Sequence, residues 1–411
     1  MTRPRPTRAA FYLWAAALCV ALTPARGQSP PDATRFTGPW DVPRLLASAP
    51  KATWGGADGL VREVYYEGEP LGGKPTRVFA YYARPADGDG PFPAMLLVHG
   101  GGGKAFREWA ELWAKRGYVA LAMDLAGHGK DGKRLPDGGP EQDDDGKFRD
   151  FTDAEVDQMW TYHAVAAVLR GHALLAARKE VDPDRIGVTG ISWGGYLTCI
   201  VAGIDDRLKV AVPVYGCGFL HEDSVWLPRF AKMSPEQRDR WVKWFDPSRY
   251  LPGVRCPVLF VNGTNDFAYP LGSYRKSYRL DPGPRSLCVT VRMPHGHAEG
   301  WAPKEIGLFA DSVLTKGAPL PKLGPLTLEG DRASAEVRHD APVVSTALHY
   351  TADTGPWPKR TWKTLPAEVS GGRVSAKLPE KVKPTALFLT ATDARGAVVS
   401  TEHAEPAADP R

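Results

Sequence analysis

The chain is short of several things, and each shortage removes a class of protein. Cysteine accounts for only five of 411 residues, and none of them has the spacing of a metal ligand set. The apolar run from about Ala9 to Leu22 is too short for a comfortable bilayer span. No basic stripe interleaved with aromatics is present, which argues against a nucleic-acid partner. No internal repeat is found. What remains is ordinary for a soluble globular protein, with 43% apolar and 24% charged residues and enough length for two domains.

The N-terminus reads as a targeting segment. Arg3, Arg5 and Arg8 precede the apolar run, and Ala25-Arg26-Gly27 places small residues where a signal peptidase reads them. Residues 1–27 are therefore expected to be a signal peptide cleaved after Gly27, with an uncleaved N-terminal anchor as the alternative. Leu18 before Cys19 is not the small residue a lipid anchor needs. Four arginines and no acid lie in this leader, so the net +5 falls to +1 without it. The expected location is exported, periplasmic or extracellular, with no stable membrane insertion after cleavage. Cys199, Cys217, Cys256 and Cys288 would then meet an oxidising compartment. Their apolar surroundings favour buried thiols, and a Cys256–Cys288 bridge stays open.

A Pro-rich lead-in (28–50) gives way to two strand-like runs, Leu60 to Tyr66 and Thr76 to Ala83. Continuously apolar strands then alternate with helical patterns: Ala94 to Val98, Ala105 to Arg116, Tyr118 to Met123, Met159 to Arg178, Arg185 to Thr189, and Trp193 to Ala202. Val210 to Val214, Val258 to Val261, Ser286 to Met293 and the helix Pro303 to Leu314 complete the series. Such alternation predicts an α/β domain over 51–317, a mostly parallel sheet with helices on both faces. After a linker at Lys316 to Pro321, short strands separated by turns predict a small immunoglobulin- or fibronectin-like β-sandwich over 322–406. Two inserts interrupt the first domain. Ala126 to Glu155 holds Asp143-Asp144-Asp145 but lacks the glycine and terminal glutamate of a calcium loop, and reads as a solvated face. Phe219 to Tyr250 carries Trp226, Trp241 and Trp244, either capping a site or packing as a plain helical insert.

Gly190-Ile191-Ser192-Trp193-Gly194 fits G-x-S-x-G between a buried strand and a helix, the setting in which a sharp turn lifts a serine clear of the sheet. A serine hydroxyl needs an adjacent base. In the order such sites follow, an acid comes next and a histidine last. Asp266 follows the strand ending at Val261, and His295-Gly296-His297 follows the next. His297, farther into the loop, is taken as the base, with His295 as runner-up. A zinc site on His-x-His lacks an evident third ligand. For the oxyanion, the backbone N–H of Trp193 pairs with one from His99-Gly100-Gly101-Gly102-Gly103, Gly101 first and Gly102 next. Lys104 followed by Ala105 rules out a Walker phosphate loop. Tyr215 and Trp226 are the candidate substrate-binding walls. No metal or organic cofactor is called for.

With these residues placed, the chain resembles the acetyl xylan esterase and dienelactone hydrolase-like group of α/β-hydrolases. The resemblance covers about residues 60 to 316 and rests on His99-Gly100-Gly101, Asp124 to Gly129, the serine turn, Asn262 to Asp266, and His295 to His297. It implies an α/β-hydrolase fold, with His99 and Asp124 as scaffold and His128 shaping the loop beside the pocket. It also implies hydrolysis of a small-molecule or carbohydrate ester, with an acetylated sugar polymer such as xylan expected. Two other readings remain: a prolyl oligopeptidase-type serine peptidase, whose usual large propeller has no room here, and a non-catalytic sugar-binding or adhesion protein using the C-terminal sandwich.

Overall fold

Continuously apolar segments become the inner strands of one sheet, because only a strand covered on both faces can be apolar throughout. The structure is a computed structural model describing residues 1–2, 35–130 and 132–406. The basic and apolar parts of the expected leader, and its cleavage point, lie outside the described residues. Within the unit 36–411, a short helix α1 (Val42–Leu46) precedes strands β1 (Ala52–Asp58), β2 (Val61–Glu67), β3 (Arg77–Ala83) and β4 (Phe92–Val98). Then follow α2 (Arg107–Lys115), β5 (Val119–Met123), α3 (Asp144–Phe148), α4 (Trp160–Ala176), β6 (Val181–Ile191), α5 (Trp193–Ile204) and β7 (Val210–Val214). The series continues with α6 (Leu227–Phe230), α7 (Pro235–Phe245), β8 (Val258–Gly263), α8 (Leu271–Arg279), β9 (Arg285–Thr290), α9 (His297–Trp301) and α10 (Lys304–Leu314).

These strands form a nine-stranded sheet in the order β1-β2-β3-β5-β4-β6-β7-β8-β9. The joins from β1 to β5 are antiparallel, and those from β5 through β4 to β9 are parallel. Every residue of β5, β7 and β8 is buried. Helices α2, α4, α5 and α10 pack on the sheet. The ends of β4, β6, β8 and β9 lead into the candidate site residues, which is where open α/β sheets bind ligands.

Asp143 and Asp145 are exposed, as a solvated face requires, but the loop that carries them also contributes to packing. Its helix α3 buries Lys147 and Phe148, and Phe148 stacks on Trp241 of α7 with centroids 5.3 Å apart. The two inserts therefore pack together. Asp144 pairs with Lys147 at 3.0 Å and Asp145 with Arg229 at 2.5 Å, so two of the three consecutive aspartates are held by cations.

Beyond α10 come β10 (Lys322–Leu323), β11 (Thr327–Glu329), β12 (Arg332–Arg338), β13 (Val343–Thr351), β14 (Lys363–Pro366), β15 (Glu368–Ser370), β16 (Arg373–Lys377), β17 (Ala386–Asp393) and β18 (Val398–Ser400). One antiparallel sheet runs β10-β12-β16-β15 with β11 beside β12, and the other runs β14-β13-β17-β18. The segment before them, expected as a plain linker, is pinned: Arg395 donates to the carbonyls of Ala318 and Pro319 at 2.7 and 2.6 Å. A separate apolar cluster, with Leu271 and Val289 from the large sheet region and Trp357, Trp362 and Phe388 from the C-terminal sheets, seals the seam. Cys199, Cys217 and Cys288 are buried free thiols, and burial raises each thiol's pKa.

Candidate active site

Ser192 stands at the junction of β6 and α5 with φ 59° and ψ −119°, a backbone region that a non-glycine residue occupies only under constraint. Tight neighbours impose it. A Cβ on Gly190 would lie 2.2 Å from the Gly194 carbonyl oxygen, and one on Gly194 would lie 1.9 Å from that of Val98. Glycine at both positions is therefore what lets strand, turn and helix close up. The Ser192 N–H donates to Val214 O at 2.9 Å, and its carbonyl accepts from Tyr196 N at 2.9 Å.

Asp266 follows β8 in a loop tied at several points. Its Oδ1 accepts from the N–H groups of Ala268 and Tyr269 at 2.9 and 2.7 Å, while Asn262 Nδ2 donates to Tyr269 O at 3.0 Å. The remaining oxygen, Oδ2, lies 2.6 Å from His295 Nδ1. With the carboxylate ionised, Nδ1 is the donor, and the lone pair sits on Nε2. Two aromatic rings pack on the imidazole: Tyr215 stacks on it at 4.4 Å and Phe267 lies tilted against it at 4.8 Å.

This corrects the expectation for His297. Asp266 holds His295, the runner-up, and His297 stands elsewhere. The chain enters α9 at His297, and that turn carries its ring to the glycine loop, where Nε2 accepts from Gly100 N at 3.1 Å. Phe106 packs on the same ring at 4.7 Å. Burial lowers His297 to about 4, with His99 adding to the effect, so the ring is neutral and its acceptor nitrogen stays available to Gly100.

The glycine loop closes over the serine turn. A Cβ on Gly100 would lie 2.9 Å from Ser192 Cβ, and one on Gly101 would lie 2.9 Å from Trp193 Cδ1. Gly100 N is committed to His297, and Gly103 N donates to Gly100 O at 3.1 Å. Of the expected oxyanion donors, Gly101 lies against Trp193, the residue after Ser192, whereas nothing comes within 4 Å of the Cβ position of Gly102. His99 is buried, with Nδ1 on Gly100 O at 2.7 Å and Nε2 accepting from Leu125 N at 2.8 Å. Burial lowers its pKa. Asp124 Oδ1 accepts from the N–H groups of Ala126 and His128, and His128 meets Glu141 at 3.0 Å within the same loop.

Neither expected substrate wall presents a free surface. Tyr215 is fully buried and donates its hydroxyl to Gly296 O at 2.9 Å, so it supports the His295 loop instead. Trp226 packs on Trp193 at 4.5 Å inside the aromatic cluster of the two inserts. Sequence reasoning passed over Lys147, whose ammonium lies 4.4 Å above the Trp193 ring. It also passed over Phe267 and Asn265. Phe267 was findable as a large aromatic next to the candidate acid. Nothing in the sequence marks the partners of Asn265. No group of three or more metal-ligating side chains occurs among the described residues.

Residues 60–249 match the family model of acetyl xylan esterase. The acetyl esterase Axe7A of Xylanibacter ruminicola is 24% identical over 242 residues, 53% of this chain and 52% of that protein. The YtaP protein of Bacillus subtilis is 31% identical over 148 residues, 32% of this chain and 46% of that protein. The chain spans about half the length of these curated relatives. Among solved structures, an acetyl xylan esterase from Paenibacillus sp. R4 superposes with a TM-score of 0.56 at 21% identity, covering 66% of this chain and 92% of that one. Acetyl xylan esterase 1 from Thermoanaerobacterium sp. JW/SL YS485 gives 0.50 at 19% identity, covering 67% and 92%. Sheet order, serine turn and structural neighbours together give the chain an α/β-hydrolase fold, and residues 60–249 are similar to the acetyl xylan esterases.

Proposed function

We propose that this protein is an exported serine hydrolase of carboxylic esters that removes acetyl groups from a carbohydrate such as xylan. The observation that carries the reading is the 2.6 Å bond from His295 to a buried, doubly anchored Asp266, in the same unit as a serine strained onto its turn. Export rests on the basic and apolar N-terminal segment, and the sugar ester on the family similarity.

In the proposed reaction His295 Nε2 takes the proton of Ser192 as Oγ attacks the ester carbonyl. Asp266 steadies the imidazolium that forms. The N–H groups of Trp193 and Gly101 receive the oxyanion. His295 then returns the proton to the departing alcohol, and water hydrolyses the acyl-enzyme by the same route. The hydrolysis of an acetyl ester needs no group beyond these residues.

The test compares the wild-type protein with Ser192→Ala on p-nitrophenyl acetate and on acetylated xylo-oligosaccharide. The expected result is activity on both, with kcat reduced in the variant on the order of a million-fold. Activity on the small ester alone would keep the nucleophile and remove the sugar. Activity on neither, from folded protein, would overturn the esterase reading.

A further inference from the structure

Asp266 and His295 come from two separate loops, and both loops are tied to a third segment that takes no part in the chemistry. Asn265, next to Asp266, donates from Nδ2 to the carbonyls of Trp357, Pro358 and Arg360 at 3.3, 3.1 and 2.7 Å. One amide thus shares its two protons among three carbonyls of the turn between β13 and β14. Its Oδ1 accepts from Thr264 Oγ1 at 2.7 Å, and Thr264 Oγ1 accepts from Arg292 N at 3.0 Å. The relay joins the loop of His295, the loop of Asp266 and the C-terminal turn.

The turn is itself stiff. The Arg360 guanidinium lies 3.6 Å above the Trp357 ring, and Arg360 Nε donates to Gly355 O at 2.8 Å. Trp357 also belongs to the apolar cluster that seals the seam, so the turn cannot shift without opening close-packed surface. Pro358 completes the picture, standing with Asp266, Phe267 and His295 around a cleft of about 410 Å³. The relay lies outside the region 60–249 that matches the acetyl xylan esterase family.

We propose that the turn at 357–360 is a positioning element of the active site, acting through Asn265 to fix the Asp266–His295 pair. This rests on the assignment of Asp266 and His295 made above. Asn265 also borders that cleft, but its amide bonds to the turn and to Thr264, not to Asp266 or His295, which makes it a positioning residue. A misplacement of about 1 Å in a catalytic arrangement costs on the order of 100-fold in rate, which sets the size of the effect.

The experiment uses the full chain as Asn265→Ala, Asn265→Asp and Thr264→Val, with p-nitrophenyl acetate as substrate. Active sites are counted with a fluorophosphonate, and the imidazole N–H of the His295–Asp266 bond is followed by its downfield proton resonance. For both Asn265 variants kcat per titrated site should fall on the order of 10- to 100-fold, with KM within about twofold. The resonance should broaden or disappear. Asn265→Asp keeps the volume but replaces donors with an acceptor, so it should be no better than alanine. Thr264→Val should move every readout the same way by a smaller amount. Wild-type kcat per site in the Asn265 variants, or recovery in Asn265→Asp, would overturn the proposal. A loss confined to the number of folded sites would also overturn it. Should Asn265→Ala fail to fold, the other two variants decide. Failure of the underlying active-site reading would show separately, as a wild-type protein that the fluorophosphonate does not label.

Discussion

Two histidines separated by one glycine are indistinguishable by composition, and what separates them is the backbone that follows. Gly296 is extended, and the chain then coils into α9, leaving His295 at the loop with Asp266 and sending His297 to Gly100. The sequence located the dyad's loop, but the helix start that divides the pair depends on packing against Phe106 and the glycine loop. The substitutions His295→Gln and His297→Gln separate the roles. The first should reduce kcat on the order of a million-fold, as loss of a serine hydrolase's base does. The second keeps an acceptor for Gly100 N and should cost about tenfold or less, the worth of one hydrogen bond. Equal losses on p-nitrophenyl acetate would return the base to His297.

Among elements, β4, β5, β7 and β8 were readable to within two residues, since continuous apolar runs leave few other solutions, whereas β6 starts four residues before the expected Arg185 and β9 stops three before Met293. Val210–Val214 and the serine turn came out as expected. Strand β1 did not, because Gly55 and Gly56 dilute its apolar pattern and its register shifts between Trp54 and Ala57. Helix α8 was missed for the opposite reason: Arg275, Lys276 and Arg279 hide an apolar face of Leu271, Tyr274 and Tyr278. Strands β14 and β15 are short and mostly exposed, so their pairing comes from neighbours and not from pattern. The close approach of α5 to β4 gives a direct test. In Gly194→Ala the new methyl would meet the Val98 carbonyl, a rigid backbone atom, so α5 must move. Chemical denaturation should show a loss of about 3 kcal/mol, together with a fall in esterase activity. A variant as stable as wild type would mean that the helix can retreat freely.

For the whole molecule, the same burial that builds the core sets its response to acid. His163, 7% exposed and with Nε2 unbonded, is lowered by burial to about 4. His297 and His349 are lowered to about 4 as well. An unfolded histidine titrates near 6.5, so between the two values the unfolded chain takes protons that the folded one refuses. Stability from these groups is therefore complete above about pH 6.5 and falls as pH drops towards 4. For His163 alone the shift corresponds to about 3 kcal/mol. Denaturation at pH 7, 5.5 and 4 should show a progressive decline, and a flat profile would mean that these rings are protonated in the fold. Nothing in the sequence marks His163 or His349 as buried, because a histidine's burial is decided by elements distant in the chain. The seam was equally hidden: two regions with different strand textures read as independent, whereas Trp357 and Asn265 each find their partners across the join.

The join also settles what happens at one border of the large sheet. Strand β9 is its last strand, and an uncovered last strand offers its backbone to any other chain as a template. Here Val289 N donates to Ser400 Oγ at 3.1 Å, and β18 packs along β9. The C-terminal sheets thus act as a stopper, and growth of the sheet by strand addition at β9, whether to a second copy or to a misfolded neighbour, is blocked by the chain itself.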